Sequence, residues 1–147
     1  MTGIGSLMAT ISFPLPADLG PREWGSETLV VDSPLGFTGK FLYMKAGSRG
    51  GLQFHRQKHE YAFLISGVLR VYADMGDGRI QWFNVTAGTC IEIPPGAVHQ
   101  EEAITDCNIF EISSRVFNDR VRVEANYGLP EHGGLPTTQE REIRYEP

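Results

Sequence analysis

A chain of 147 residues has room for one hydrophobic core, and 41% hydrophobic with 21% charged residues is the balance of a globular domain, not of a fibrous or disordered chain. A formal net charge of -5 argues against a nucleic-acid backbone as partner, because that contact needs clustered Lys and Arg, and leaves a small molecule as the natural ligand. No apolar run approaches the roughly 20 residues that span a bilayer, and the opening MTGIGSLMATISFPLP lacks the basic start of a secretion signal, so no membrane partner and a cytoplasmic setting are expected.

The first 20 or so residues, ending in FPLPADLGP, carry three prolines and no sustained periodicity, and residues 1–20 are expected to form an arm. ETLVVD and GFTGKFLYMKAG read as strands, and EYAFLISG as another that stops at Gly67. VLRVYAD and RIQWFNV flank MGDG, a hairpin signal in which Asp77-Gly78 supplies the turn. GTCIEIPPG, AVHQEEA and CNIFEISS add three short strands, and no segment keeps a 3.6-residue apolar period beyond a turn or two. Regularly spaced short strands predict an all-β, closed or sandwiched domain over 21–115, with 116–147 as an extension packing on it or on a second subunit. Cys90 and Cys107 are too few for a disulfide framework and are expected to be reduced and buried. Open strand edges and apolar outer faces predict a homodimer, formed through the N-terminal strand or arm.

The chemistry concentrates in GLQFHRQKHEYAFLISG, Gly51 to Gly67. Strand alternation puts Gln53 and His55 on one face with Phe54 opposite, and the short turn RQKH can return Glu60 toward them. Some forty residues later a rigid Pro94-Pro95-Gly96 turn sets the direction of His99 at a strand start.

The spacing of Gly47, Gln53, His55, Glu60 and Gly67 resembles the first motif of the cupin superfamily, with Gln53 in place of its first histidine. Gly88, Pro94, Gly96 and His99 resemble the second motif, which departs only at Ala103, where Asn is usual. The resemblance implies a cupin-type double-stranded β-helix, a jelly-roll barrel, in which Gln53, His55, Glu60 and His99 hold one divalent metal ion. Two imidazoles and a carboxylate, with a neutral amide oxygen, suit Zn, Mn, Ni or Fe. Within the superfamily, Pro21-x-x-Trp24-Gly25, Gln53-x-His55 and Asp119-x-Val121-Arg122 are most similar to the cupin domain of type II mannose-6-phosphate isomerases, although Gln57 and Tyr61 stand where that family has histidines and Lys58 where it has arginine. That likeness implies a sugar or sugar phosphate substrate and proton transfer at a carbonyl.

On this reading Glu101, two residues past His99 and therefore on the same interior face, is a candidate base, with Lys58 a second catalytic candidate. Arg49 and Arg56 are candidates to line the mouth and meet a phosphate or carboxylate, and Tyr43, Tyr61 and Phe63 to stack on a ring. Two other functions stay open at this point: His55, Glu60 and His99 also satisfy the two-His-one-carboxylate set of non-haem Fe(II) dioxygenases, and a barrel with ligands can be a non-catalytic sugar or metabolite binder.

Overall fold

The computed structural model describes residues 9–131 and 133–147. The expected arm is described only from residue 9. Its stretch up to residue 16 has no regular structure, but β1 (Ala17–Arg22) begins inside the segment expected to be arm and pairs with β2 (Gly25–Ser33). The remaining strands follow the sequence-predicted order: β3 (Phe37–Met44), β4 (Gln53–His55), β5 (Glu60–Ser66), β6 (Val68–Asp74), β7 (Ile80–Thr86), β8 (Cys90–Ile93), β9 (His99–Ala103) and β10 (Cys107–Ser114). A further strand, β11 (Arg120–Arg122), comes from the segment expected to lie outside the barrel. Helix among the described residues is limited to two short 3-10 turns, Glu124–Tyr127 and Glu140–Glu142.

All strand pairs are antiparallel. They form a six-stranded sheet in the order β1-β2-β3-β10-β5-β8 and a five-stranded sheet in the order β11-β4-β9-β6-β7. The two sheets face each other as a jelly-roll barrel, so each strand hides alternate residues. On β10, Cys107, Ile109 and Ser113 are buried inward while Ile112 is exposed outward.

The inward residues sort by chemistry. Leu42, Met44, Leu64, Leu69, Val71 and Ile109 form one apolar cluster together with Ala62, Ala103 and Cys107. On β2, β3, β5 and β10 of the same sheet, Glu27, Lys40, Glu60 and Ser113 are buried ionic or polar positions beyond the cluster, with Leu29 on β2 an apolar one. One end of the barrel is therefore a conventional core, and the other is lined with charge.

Two glycines are demanded by close approach or turn geometry. Gly25 opens β2 at φ 152°, and a Cβ there would lie 1.8 Å from the Tyr43 carbonyl oxygen. Gly96 closes the Pro-Pro-Gly turn at φ 83° and donates its N–H to the His55 carbonyl at 2.8 Å, tying the start of β9 to the end of β4. The cysteines divide: Cys107 is buried and reduced as expected, but Cys90 is exposed, because its position on β8 opposite Phe63 faces the outside of the six-stranded sheet. No helix of the described residues is long and apolar enough to cross a membrane.

Candidate metal centre

His55 and Gln53 stand on β4 and His99 on β9, with Gln53 directly opposite His99 in the ladder. Glu60 opens β5 in the other sheet. The turn RQKH carries the chain from one sheet to the other, so the four residues close on the cavity from both of its walls. His55, Glu60 and His99 are all buried, and their candidate ligand atoms lie within 4.8 Å of one another. The His55 and His99 rings stand 5.4 Å apart at 42°.

The tautomers follow from the partners. Nδ1 of His55 lies 2.9 Å from Asp119 Oδ1, and an ionised carboxylate can only accept, so Nδ1 carries the proton. Nδ1 of His99 lies 2.9 Å from the Ala97 carbonyl, which again only accepts. In their neutral forms both rings keep an unprotonated Nε2, and that of His55 points at Glu60 Oε1, 3.4 Å away. Fixing the far nitrogen of a ligating histidine by a carboxylate or carbonyl is what a metal site requires of its surroundings. Asp119 is itself fully buried and held: its other oxygen accepts the backbone N–H groups of Gln57 and Lys58 at 2.8 and 2.9 Å. Burial alone would raise the Asp119 carboxyl, but the His55 bond and the two backbone donors keep it below its ordinary value.

Charge around Glu60 is dense. Lys58 pairs with Glu60 and, at 3.3 Å, with Glu111. Burial works against the Lys58 ammonium, yet Glu111 and Glu60 outweigh it and hold it protonated. Burial likewise favours a neutral Glu60, but Lys58, His55 and His99 keep it ionised. Further along the wall Lys40 bonds Glu27 at 2.8 Å, and Arg22 meets the same carboxylate at 3.0 Å. His99 is depressed chiefly by burial, so its neutral, ligating form is favoured. Glu101 is pushed up to about 8 by burial first and then by the charges of Glu60 and Glu111. These groups line a cavity of about 530 Å³ that also includes Gln53, Trp24, Arg120 and Arg144.

The donor set fits a divalent ion. Metal–nitrogen and metal–oxygen distances of about 2.0–2.2 Å bring neighbouring ligand atoms to roughly 3 Å, and the 3.4 Å between His55 Nε2 and Glu60 Oε1 is already close to that.

Several sequence expectations about the mouth change. Lys58 does line the cavity, but as a clamped, protonated partner of two carboxylates it cannot serve as a base. Arg49 lies outside the lining: it pairs with Glu102 at 3.1 Å and lies over the Tyr72 ring, 4.5 Å from its centroid. Arg56 is turned to the Thr138 carbonyl at 2.6 Å. Tyr43, Tyr61 and Phe63 occupy outward positions on β3 and β5, Tyr61 stacked on His59 at 5.3 Å, and none of the three lines the cavity. Glu101 does line it. Asp119 was present in the sequence pattern Asp-x-Val-Arg but without a role; the hydrogen bond to His55 supplies one.

No protein-family description matches this sequence, and none of the curated proteins does. Solved structures do match in fold. The capsular polysaccharide assembling protein CapF of Staphylococcus aureus is 22% identical over 76% of this chain and 34% of that one, with a TM-score of 0.64. KdgF of Halomonas sp. is 13% identical over 67% of this chain and 86% of that one, with a TM-score of 0.58. Oxalate decarboxylase of Bacillus subtilis is 23% identical over 61% of this chain and 25% of that one, with a TM-score of 0.52. This chain thus spans about a third of the CapF structure. The common architecture is the cupin-type double-stranded β-helix.

Proposed function

We propose that this chain is a metal-dependent small-molecule cupin, and that its reaction is proton transfer at a carbonyl of a sugar or sugar phosphate, of the isomerase or epimerase type. One observation carries the reading: two imidazoles pinned through Nδ1 turn toward a buried carboxylate in a cavity that also contains a carboxyl group poised near neutrality. Gln53, His55, Glu60 and His99 would hold one divalent ion, with Zn, Mn, Ni and Fe all compatible with the donors. Such an ion, when bound, polarises substrate carbonyl and hydroxyl oxygens and stabilises negative charge on them.

The rest falls to the chain. Glu101, with its pKa near 8, can both take and return a proton in the neutral range, which is what shuttling a proton between adjacent carbons needs. Lys58 neutralises part of the charge of Glu60 and Glu111, and Asp119 keeps the His55 proton away from Nε2. The finer likeness to mannose-6-phosphate isomerases rests on the sequence pattern alone and forms the most specific part of the proposal. A cytoplasmic setting is proposed with it, supported by two free thiols.

The proposal includes a homodimer. Its support is the outer face of the six-stranded sheet, where Phe41, Phe110 and Phe63 lie in register across β3, β10 and β5 and Phe41 and Phe63 are 38% and 45% exposed. The N-terminal Ile11, Phe13 and Leu15 are more uncovered still, at 87%, 86% and 91%.

Elemental analysis of the purified protein beside His99→Ala tests the site, with one equivalent of metal expected in the wild type and loss in the variant. Hydrogen–deuterium exchange at C2 across a panel of hexoses and hexose phosphates, run without oxygen, tests the reaction. Metal without exchange on any sugar would leave the centre standing and remove the isomerase.

A further inference from the structure

We infer that Arg120 and Arg144 form an anion-binding subsite at the mouth of the cavity, so that the substrate carries a carboxylate or phosphate group away from its reacting carbons. This deepens the function proposed above and rests on it for the position of the reacting end. Five cations line the cavity: Arg22, Lys40, Lys58, Arg120 and Arg144. Three of them are already committed, Arg22 and Lys40 to Glu27 and Lys58 to Glu60 and Glu111. Neither Arg120 nor Arg144 forms an ion pair with any described residue. Arg120 reaches the Pro136 carbonyl and Thr138 Oγ1 only at 3.3 and 3.4 Å, both from the same nitrogen, which leaves most of its guanidinium fork free.

Position supports the same conclusion. Arg120 is the direct β11 partner of His55, so the two side chains leave the same face of the sheet, with Cβ atoms about 5 Å apart in such pairs. Arg144 is held over the mouth by backbone anchors on either side of Asn118: its N–H donates to Asn118 Oδ1 at 2.6 Å, and Asn118 Nδ2 donates to the Glu142 carbonyl at 2.8 Å. Arg120 is half-buried and Arg144 exposed, which grades the pair from cavity to solvent.

The pairing pattern favours an anion. Among the carboxylates of the lining, Glu27 is taken by Arg22 and Lys40, Glu60 and Glu111 by Lys58, and Asp119 by His55 and two backbone N–H groups, so none of these four is bonded to Arg120 or Arg144. A divalent ion on the histidines would add positive charge to the same hollow, and positive charge there is poorly screened and draws an oxyanion. Guanidinium forks match carboxylate and phosphate geometry, and a volume of about 530 Å³ has room for a molecule with one group on the metal and the other on the arginines.

The test is calorimetric titration of Co²⁺-loaded protein with inorganic phosphate, with malonate, and with glycerol as the uncharged control. Phosphate or malonate should bind and glycerol should not, the preferred anion identifying the substrate's charged group. Arg120→Gln and Arg144→Ala should each weaken that binding about tenfold or more, while Co²⁺ stoichiometry and its visible spectrum stay as in the wild type. Arg144 lies on an exposed segment, so its variant keeps the test valid if Arg120→Gln fails to fold. Anion affinity unchanged in both variants, or no anion binding by the wild type, overturns the subsite. Failure of the wild type to take up Co²⁺, with arginine-dependent phosphate binding retained, would instead remove the metal reading and leave the subsite in place.

Discussion

Asp119→Asn keeps the size and shape of a side chain with no exposure while changing what it can accept. In the native protein one oxygen accepts from His55 Nδ1 and the other from two backbone N–H groups, of Gln57 and Lys58. An amide has a single acceptor oxygen. The backbone donors cannot change, so that oxygen stays with them and the amide NH2 is set against the imidazole. His55 can meet a donor at Nδ1 only by moving its own proton to Nε2, the atom that faces Glu60. Replacing a group that orients a metal ligand costs about 10–100-fold in metal affinity, or roughly 1.4–2.8 kcal/mol. Folding should lose only about 1–3 kcal/mol, the value of a charge-assisted hydrogen bond, since no cavity is made. Zinc affinity measured against a competing chelator, together with ¹⁵N shifts of the metal-free His55 ring, reads both halves of the argument. Affinity within about threefold of the wild type and a proton still on Nδ1 would refute it.

Other expectations are simpler. Glu101 sits near 8 in the folded, metal-free protein against about 4.3 in an unfolded chain. The folded state therefore holds a proton that the unfolded state has released, stability falls as pH rises between those values, and above about 8 the curve is level. Glu101→Gln should flatten that fall in thermal melts, and equal slopes in variant and wild type would reject the assignment. Gly25→Ala should destabilise by more than about 3 kcal/mol in urea unfolding, because its Cβ would meet the Tyr43 carbonyl oxygen at 1.8 Å. Phe63→Lys puts a charge into the exposed stripe on β5 and should halve the mass seen by light scattering if that face joins two copies. A wild type that is already monomeric disposes of the dimer.

Strand order and the convergence of the candidate ligands were legible because local rules set them. Alternation put Gln53 and His55 on one face, and a Pro-Pro-Gly turn bonded back to the His55 carbonyl sets where β9, and so His99, begins. Asp119 was not legible in this way: it meets His55 across 64 residues, from the position just before a three-residue strand too short to show a period. The misplaced cations share another cause. Arg49 and Arg56 flank the ligand strand in sequence, but nearness along the chain does not say toward which side of a barrel a loop turns. Arg49 is drawn outward by Glu102 and Tyr72, and Arg56 by the Thr138 carbonyl. The cations that line the mouth instead come from the far end of the chain. Cys90 was read as buried because free cysteines usually are, whereas its face on β8 is the solvent side of the sheet.

The division of the interior into an apolar cluster and a charged end also bears on where function lies. Replacing a buried ion pair by well-packed hydrophobic residues is often neutral or stabilising, so Glu27 with Lys40 and Lys58 with Glu60 and Glu111 are poor choices if stability alone is wanted. Glu111 sharpens the point: its Oε1 is buried, ion-paired at 3.3 Å, and without any hydrogen bond. An acceptor left in that state costs about 1–3 kcal/mol, and the same strands show, in Leu42, Leu64 and Ile109, that apolar side chains fit the barrel well. The cost is confined to the end where the two histidines converge, and it keeps fixed charges aimed into a hollow instead of filling it. Charges held in place before a ligand arrives need no reorganisation when it does, which is the use a binding or catalytic site makes of stability forgone elsewhere.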